Sequence, residues 1–203
     1  MTLLHSLLPW LGQLLLMAVL FTLLTERLVK QSGSRLWLLA ILLVLGFAVP
    51  LAGSSFAQWL RSVLGDLSVL TMLLFADILA RRLWGLALFS ITARHALLLV
   101  VAVVGMVFYP MAMGVGSIDP YRLGFAPVGL SVALCVVSVI TWLRFSRGLA
   151  VALLLPLLAY NLHLLESDNL WSYLIDPVLV IYAIVQMTVL LLSKGVTVFF
   201  PRP

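Results

Sequence analysis

The chain has 203 residues, of which 64% are hydrophobic and only 9% are charged, and its mean hydropathy is +1.23. A soluble globular domain is roughly half apolar and about a quarter charged, so this composition excludes an ordinary soluble domain. The net charge of +5 does not indicate nucleic-acid binding, because the basic residues lie in short gaps beside apolar runs, where they set membrane topology. We therefore expect the lipid bilayer, and no nucleic acid, as the main partner.

Seven apolar runs are long enough to be candidate membrane spans. In chain order they cover about residues 7–25, 36–52, 63–80, 96–113, 128–143, 149–165 and 174–193. The basic residues follow the first run instead of preceding it, which is not the order of a cleaved secretory signal. The sequence thus predicts an all-α fold, a single polytopic transmembrane helical bundle over residues 1–203. A further apolar patch at 83–92 is too short to span and is expected to lie along the membrane interface.

The charges alternate between the gaps. Ten of the twelve Lys and Arg residues fall at 26–35, 81–94, 144–147 and in the tail from Lys194, and basic loops face the cytoplasm. Seven spans place the termini on opposite sides, so we expect the N-terminus outside and the C-terminus in the cytoplasm. Five of the seven acids then lie in outer gaps: Asp66, Asp119, Glu166, Asp168 and Asp176. Short loops suggest a multi-pass protein of a bacterial inner membrane.

The acidic outer loops are the first candidate site. His163 and Glu166 are three residues apart and would share a helix face if the sixth span continued that far. Asp168 and Asp176 follow closely, and His5 could approach from the N-terminal tail, so imidazole and carboxylates could together bind a divalent cation. No spacing here matches a specific metal site, however.

Helix capping is the stronger interpretation of these acids. We expect Asp168 and Asp176 to be helix N-caps, the latter followed by Pro177 at the first helical position. Asp119 lies in a loop rich in Gly and Pro, beside Arg122, and an arginine at the outer face could bind phosphate.

Polar residues inside the spans are the second candidate. Asp77 and Arg81 have the i,i+4 spacing of a helical ion pair, although an acid within a membrane can also mark a proton or cation path, with Asp66 near the same helix face. Pro156 is expected to kink the sixth span, and Tyr160, Asn161 and His163 follow it, where a cavity could form.

No cofactor is expected. His95 and His163 belong to opposite ends of their spans, so one haem cannot take both as ligands. The single cysteine, Cys135, lies within a span and can form no internal disulfide.

Three functional classes remain open. The first is a non-catalytic subunit or accessory protein of a larger cell-envelope membrane complex, which would pair with another membrane protein. It is favoured because few polar residues lie within the spans. The second is a small transporter or channel for an ion or small solute, with a polar cavity that involves Asp66, Asp77, Tyr160, Asn161 and His163. The third is a membrane enzyme that acts on a lipid-linked substrate at the outer face, with His163, Glu166, Asp168 and Asp119 around Arg122 or Arg61. No catalytic motif supports it.

Overall fold

The fold is all-helical. A computed structural model describes the backbone of residues 2–28, 32–51 and 53–199, and the side chains within 7–26, 36–50 and 53–193. The α-helices in these ranges are α1 (Thr2–Leu28), α2 (Ser32–Ala48), α3 (Phe56–Leu64), α4 (Val69–Trp84), α5 (Ile91–Ala112), α6 (Val128–Arg144), α7 (Arg147–Asn161), α8 (Leu170–Leu174) and α9 (Pro177–Phe199). A 3-10 helix at Pro120–Gly124 precedes α6, and two short antiparallel strands, β1 (Pro50–Leu51) and β2 (Ser54–Ser55), connect α2 to α3.

Helix α4 lies at the centre of the bundle. It packs against α1 and α7 along its length and contacts α8 and α9, while α2 packs on α1, α6 packs on α7, and α5 pairs with α9. The apolar core follows this arrangement, since Leu74 of α4, Leu98 of α5 and Leu179 of α9 are fully or almost fully buried. The helices thus bury one stripe each against a neighbour and leave their other faces apolar and exposed, as Val136 in α6 and Ile181 in α9 show.

The loops gather at two ends of the bundle. Arg82 at the end of α4 forms an ion pair with Glu26 near the end of α1. Gly148, at the start of α7, lies close to the loop between α4 and α5, since a Cβ added to it would be 3.1 Å from the carbonyl oxygen of Leu88. The three predicted basic gaps at 26–35, 81–94 and 144–147 therefore adjoin one another, at what we call the Asp77 end, while the side chains of the tail from Lys194 lie outside the described residues. The opposite end, which we call the Asp66 end, carries α3, α8 and the 3-10 helix.

Within the part of the chain that the structure describes, two helical segments are long and apolar enough to cross a membrane, Leu7–Glu26 and Ile91–Ala112. Four further apolar segments are shorter: Leu36–Ala48, Val128–Arg144, Arg147–Asn161 and Pro177–Ser193. The expected helical bundle is confirmed, whereas helices of full spanning length account for two of the seven predicted spans.

Several predicted boundaries differ from the helices of the structure. The third run does not begin a helix at Val63, because α3 ends at Leu64, Gly65 turns the chain with φ 72° and α4 starts at Val69. The sixth run ends at Asn161 and not at residue 165. Residues 85–90, part of the patch expected along the interface, form a loop between α4 and α5.

The close contact of α5 with α9 depends on the absence of a side chain at Gly105. A Cβ at Gly105 would overlap both methyl groups of Val180. We expect Gly105→Ala to lower the free energy of unfolding by about 1–3 kcal/mol, the usual cost of overpacking, and Val180→Ala to recover much of that loss. Thermal unfolding in detergent measures both effects. Gly129→Ala in α6 is the matched control, since its Cβ meets nothing within 4 Å, and an equal loss there would contradict this account.

Candidate functional site: a crevice around Asp66

Two acids that were candidate site residues are buried in the fold itself. Asp77 is fully buried, and its Oδ2 accepts a hydrogen bond of 2.8 Å from Arg81 Nε. Its Oδ1 accepts from the backbone N–H groups of Leu88 and Phe89 at 2.8 and 3.1 Å, while the Arg81 guanidinium also donates to the carbonyl oxygen of Phe89. The predicted i,i+4 pair is thus confirmed, and it fixes the loop that enters α5.

Asp176 also holds backbone N–H groups of two segments together, at the N-terminal end of α4. Its Oδ1 accepts from the backbone N–H of Leu179 at 2.8 Å, so it caps α9 in front of Pro177 as predicted. Its Oδ2 accepts from the backbone N–H of Ser68 at 2.7 Å and from the Thr71 hydroxyl. Since Ser68 is itself the N-cap of α4, one buried carboxylate joins the first turns of α4 and α9.

The open polar surface of the Asp66 end is a crevice of three adjoining cavities. Their volumes are about 690, 360 and 340 Å³. Asp66 lines all three, Glu166 lines the first and third, and Ser172 lines the second and third. The crevice therefore runs continuously from the end of α3, past Asp66, to the aromatic side chains between α5 and α8.

A charged cluster lies at the α3 side of the crevice. Arg61 Nε donates to Asp66 Oδ1 at 2.7 Å, and its Nη2 donates to Asp66 Oδ2 at 3.3 Å and to Glu166 Oε1 at 2.9 Å. The hydrogen bond to Asp66 is the largest cause of the raised pKa of Arg61. The guanidinium also lies 5.3 Å from the centre of the Trp10 ring, a cation–π distance.

The local sequence explains how Arg61 reaches its partners. Ser55 and Gln58 form a capping box, with Ser55 Oγ accepting from the Gln58 N–H at 3.3 Å and Gln58 Oε1 accepting from the Ser55 N–H at 2.7 Å, which starts α3. Gly65 ends it with a positive φ, a conformation that glycine adopts without steric cost. The reversal directs Asp66 back to Arg61, and Gln13 of α1 holds the turn by donating to the Gly65 carbonyl oxygen at 3.0 Å.

The far side of the crevice is aromatic. The ring of Phe108 lies 4.7 Å from that of Trp171 and 6.2 Å from that of Tyr121. Asn169, fully buried, donates from Nδ2 to the Tyr121 carbonyl oxygen at 2.9 Å and accepts at Oδ1 from the Trp171 N–H. A Cβ at Gly124 would overlap this Oδ1, so glycine allows the loop after α5 to lie against α8.

The other predicted site residues do not converge on Asp66. Asp119 caps the 3-10 helix by accepting from the Tyr121 N–H at 3.0 Å, and the neighbouring Arg122 is exposed. Asn161 donates to the Leu157 carbonyl oxygen within α7 at 2.7 Å. Asp168 is exposed, and its carbonyl oxygen accepts from the Tyr160 hydroxyl at 3.5 Å.

Two expectations about these residues are wrong. Asn169 is the N-cap of α8, the position expected for Asp168. His163 does not share a helix face with Glu166, because α7 ends at Asn161 and His163 adopts φ 49°. The N–H groups of His163 and Leu164 donate to the carbonyl oxygens of Tyr160 and Ala159, which is a Schellman motif with His163 in the place that usually holds glycine.

Four residues that line the crevice were not among the predicted site residues: Trp10, Gln58, Ser167 and Ser172. The capping-box spacing of Ser55 and Gln58 could have revealed α3. The contact of Trp10 with Arg61 joins distant segments and leaves no local signal.

The crevice brings a paired charge cluster next to aromatic side chains. Its arginine is already paired with two carboxylates. Within the side chains that the structure describes, no three His, Cys, Asp or Glu residues form a group that could hold a metal ion. His5 lies outside the described side chains.

No known protein family, no curated protein and no solved structure matches this chain.

Asp176→Asn tests the capping role. Both carboxylate oxygens accept from N–H groups, so an amide must turn its NH₂ group toward one of these donors. We expect the free energy of unfolding to fall by about 2–3 kcal/mol, the cost of a buried unsatisfied group, as measured by thermal unfolding in detergent. Asp168→Asn makes the same chemical change on an exposed side chain and should be nearly neutral. Equal effects of the two substitutions would contradict the assignment.

Proposed function

We propose that the chain is a seven-span membrane protein with the Asp66 end outside the cell and the Asp77 end in the cytoplasm. One helix or helix pair lies at each predicted apolar run, and the predicted basic gaps meet at the Asp77 end. Helices shorter than about 20 residues can be matched by local thinning of the bilayer. This topology fits a multi-pass protein of a bacterial inner membrane.

We further propose that the protein is a non-catalytic accessory subunit of a cell-envelope membrane complex. The observation that supports this most is the use of the buried acids, because Asp77 and Asp176 both accept backbone N–H groups and Asp77 is also paired with Arg81. An ion or proton path needs polar groups that can exchange partners. These carboxylates instead hold helix ends together, which disfavours the transporter alternative.

The enzyme alternative has weaker support still. It needs His163, Glu166, Asp168 and Asp119 around one arginine. Of these, Glu166 is paired with Arg61, whereas Asp119 caps the 3-10 helix elsewhere. Both carboxylates at this arginine form ion pairs with it. The crevice is better suited to holding part of a partner or a lipid than to acid–base chemistry.

Labelling of single cysteines tests the topology. In a Cys135→Ser background, Val115→Cys and Leu123→Cys lie at exposed positions of the Asp66 end, and Leu86→Cys and Phe145→Cys at exposed positions of the Asp77 end. A membrane-impermeant maleimide added to intact spheroplasts should modify the first pair and reach the second only after permeabilisation. Labelling of both pairs from outside, or the reverse pattern, would refute the proposed orientation.

Purification from native membranes in mild detergent tests the accessory role. We expect a second membrane protein to be retained in constant stoichiometry, and we expect ions and water-soluble solutes to leave the melting temperature of the purified chain unchanged. A specific rise above about 4 °C, roughly 1 kcal/mol of stabilisation in a chain of this size, would identify a ligand and favour a transporter. A chain that always purifies alone would also contradict the accessory role.

A further inference from the structure

An apolar groove and the charged part of the crevice meet at one side chain. The groove has a volume of about 500 Å³ and is lined mainly by α1, with Leu7, Leu11 and Leu14, together with Phe47 of α2. Trp10 lines both the groove and the 690 Å³ cavity that contains Arg61. Its ring lies 6.2 Å from the ring of Phe47 and 5.3 Å from the Arg61 guanidinium. The surface is apolar on one side of the Trp10 indole and charged on the other, which matches the distribution of polarity in an amphiphilic molecule.

The charges of the cluster select the kind of headgroup. Arg61 contributes one positive charge, and Asp66 and Glu166 contribute two negative charges, so the cluster carries a net charge of −1 by this count. A purely anionic headgroup would be repelled by this excess. A headgroup that also carries a cation would be attracted to the side chain of Glu166, which is 75% exposed.

Hydrogen-bonding capacity is left for both parts of such a headgroup. Among the described residues, no partner is found for Arg61 Nη1, whereas Nε and Nη2 are both used. Glu166 uses one oxygen, Oε1, to accept from Arg61, and a carboxylate can accept several hydrogen bonds in all. An oxyanion can therefore bind at Nη1 while an ammonium group donates to Glu166.

We infer that the junction at Trp10 binds a phospholipid whose headgroup carries a phosphate and a primary ammonium group. One acyl chain lies in the groove beside Leu11 and Leu14, the phosphate accepts from Arg61 Nη1, and the ammonium donates to Glu166. A primary ammonium fits better than a quaternary one because it has N–H donors. The inference rests on the proposed membrane placement and adds a ligand to the outer end.

Quenching of tryptophan fluorescence by brominated lipid tests the inference. The full chain is reconstituted into phosphatidylcholine vesicles with a minor fraction of chain-brominated phosphatidylethanolamine or, in matched vesicles, chain-brominated phosphatidylglycerol. The difference between the parent protein and Trp10→Phe isolates the contribution of Trp10. We expect about a threefold preference of the Trp10 site for phosphatidylethanolamine, the ratio that one partly exposed ion pair supports.

Two substitutions and a second tryptophan serve as controls. Glu166→Gln should abolish the preference, while Asp168→Asn, which removes the same charge from the same loop, should retain it. Trp142 lies 5.6 Å from the Arg147 guanidinium near the Asp77 end, and its share, isolated by Trp142→Phe, should show no preference for the ammonium lipid.

The outcomes separate the two proposals. Equal quenching of Trp10 by both lipids, a preference for phosphatidylglycerol, or an equal loss in Asp168→Asn would overturn the lipid site while leaving the membrane topology intact. Absence of quenching at every tryptophan would show that the chain does not enter the bilayer, and it would overturn both.

Discussion

The position of α4 depends on two buried carboxylates, one bonded to its first turn and one bonded to the loop that follows it. Asp176 reaches its first turn through the Ser68 N–H and the Thr71 hydroxyl, and Asp77 in its last turns holds the loop to α5 through the N–H groups of Leu88 and Phe89. A buried polar group is costly unless it is hydrogen-bonded, so among apolar helices these bonds have few competitors. Every helix that packs on α4 is thereby placed relative to the same two fixed ends.

That constraint also separates structural from exchangeable polar groups. A carboxylate that accepts three hydrogen bonds from backbone and side chains cannot leave them without exposing unpaired donors, so it cannot take part in transport at low cost. The cluster at Arg61 is different, because the side chain of Glu166 is mostly exposed and that of Arg61 is 25% exposed. Water can replace these contacts, so a ligand at the Asp66 end can displace them at a lower free-energy cost than it could displace the contacts of Asp77 or Asp176.

Local patterns in the sequence predicted the helical fold, the pairing of Asp77 with Arg81 and the cap at Asp176, because each depends on residues within one helical turn. The short helix α3 was missed because its apolar residues are separated by polar ones at amphipathic spacing and form no continuous apolar run. The end of α7 was misplaced because the motif that ends the helix has His163 in a conformation usually adopted by glycine. The crevice itself joins α1, α3 and the loop after α7, and such contacts over long sequence distances leave no periodic signal.

Arg61 is the residue most informative about function, because it lies on the side of the bundle that otherwise has almost no basic residues. In the proposed topology Arg61 and Arg122 are the two basic residues of the outer end, and positive charge there opposes the rule that sets orientation. The carboxylates of Asp66 and Glu166 neutralise the positive charge of Arg61 and bring the cluster to a net charge of −1. The acidity of the outer end is thus in part a complement of topology, but the arrangement at Trp10 is not, since topology alone requires neither a capped α3 nor an indole beneath the guanidinium.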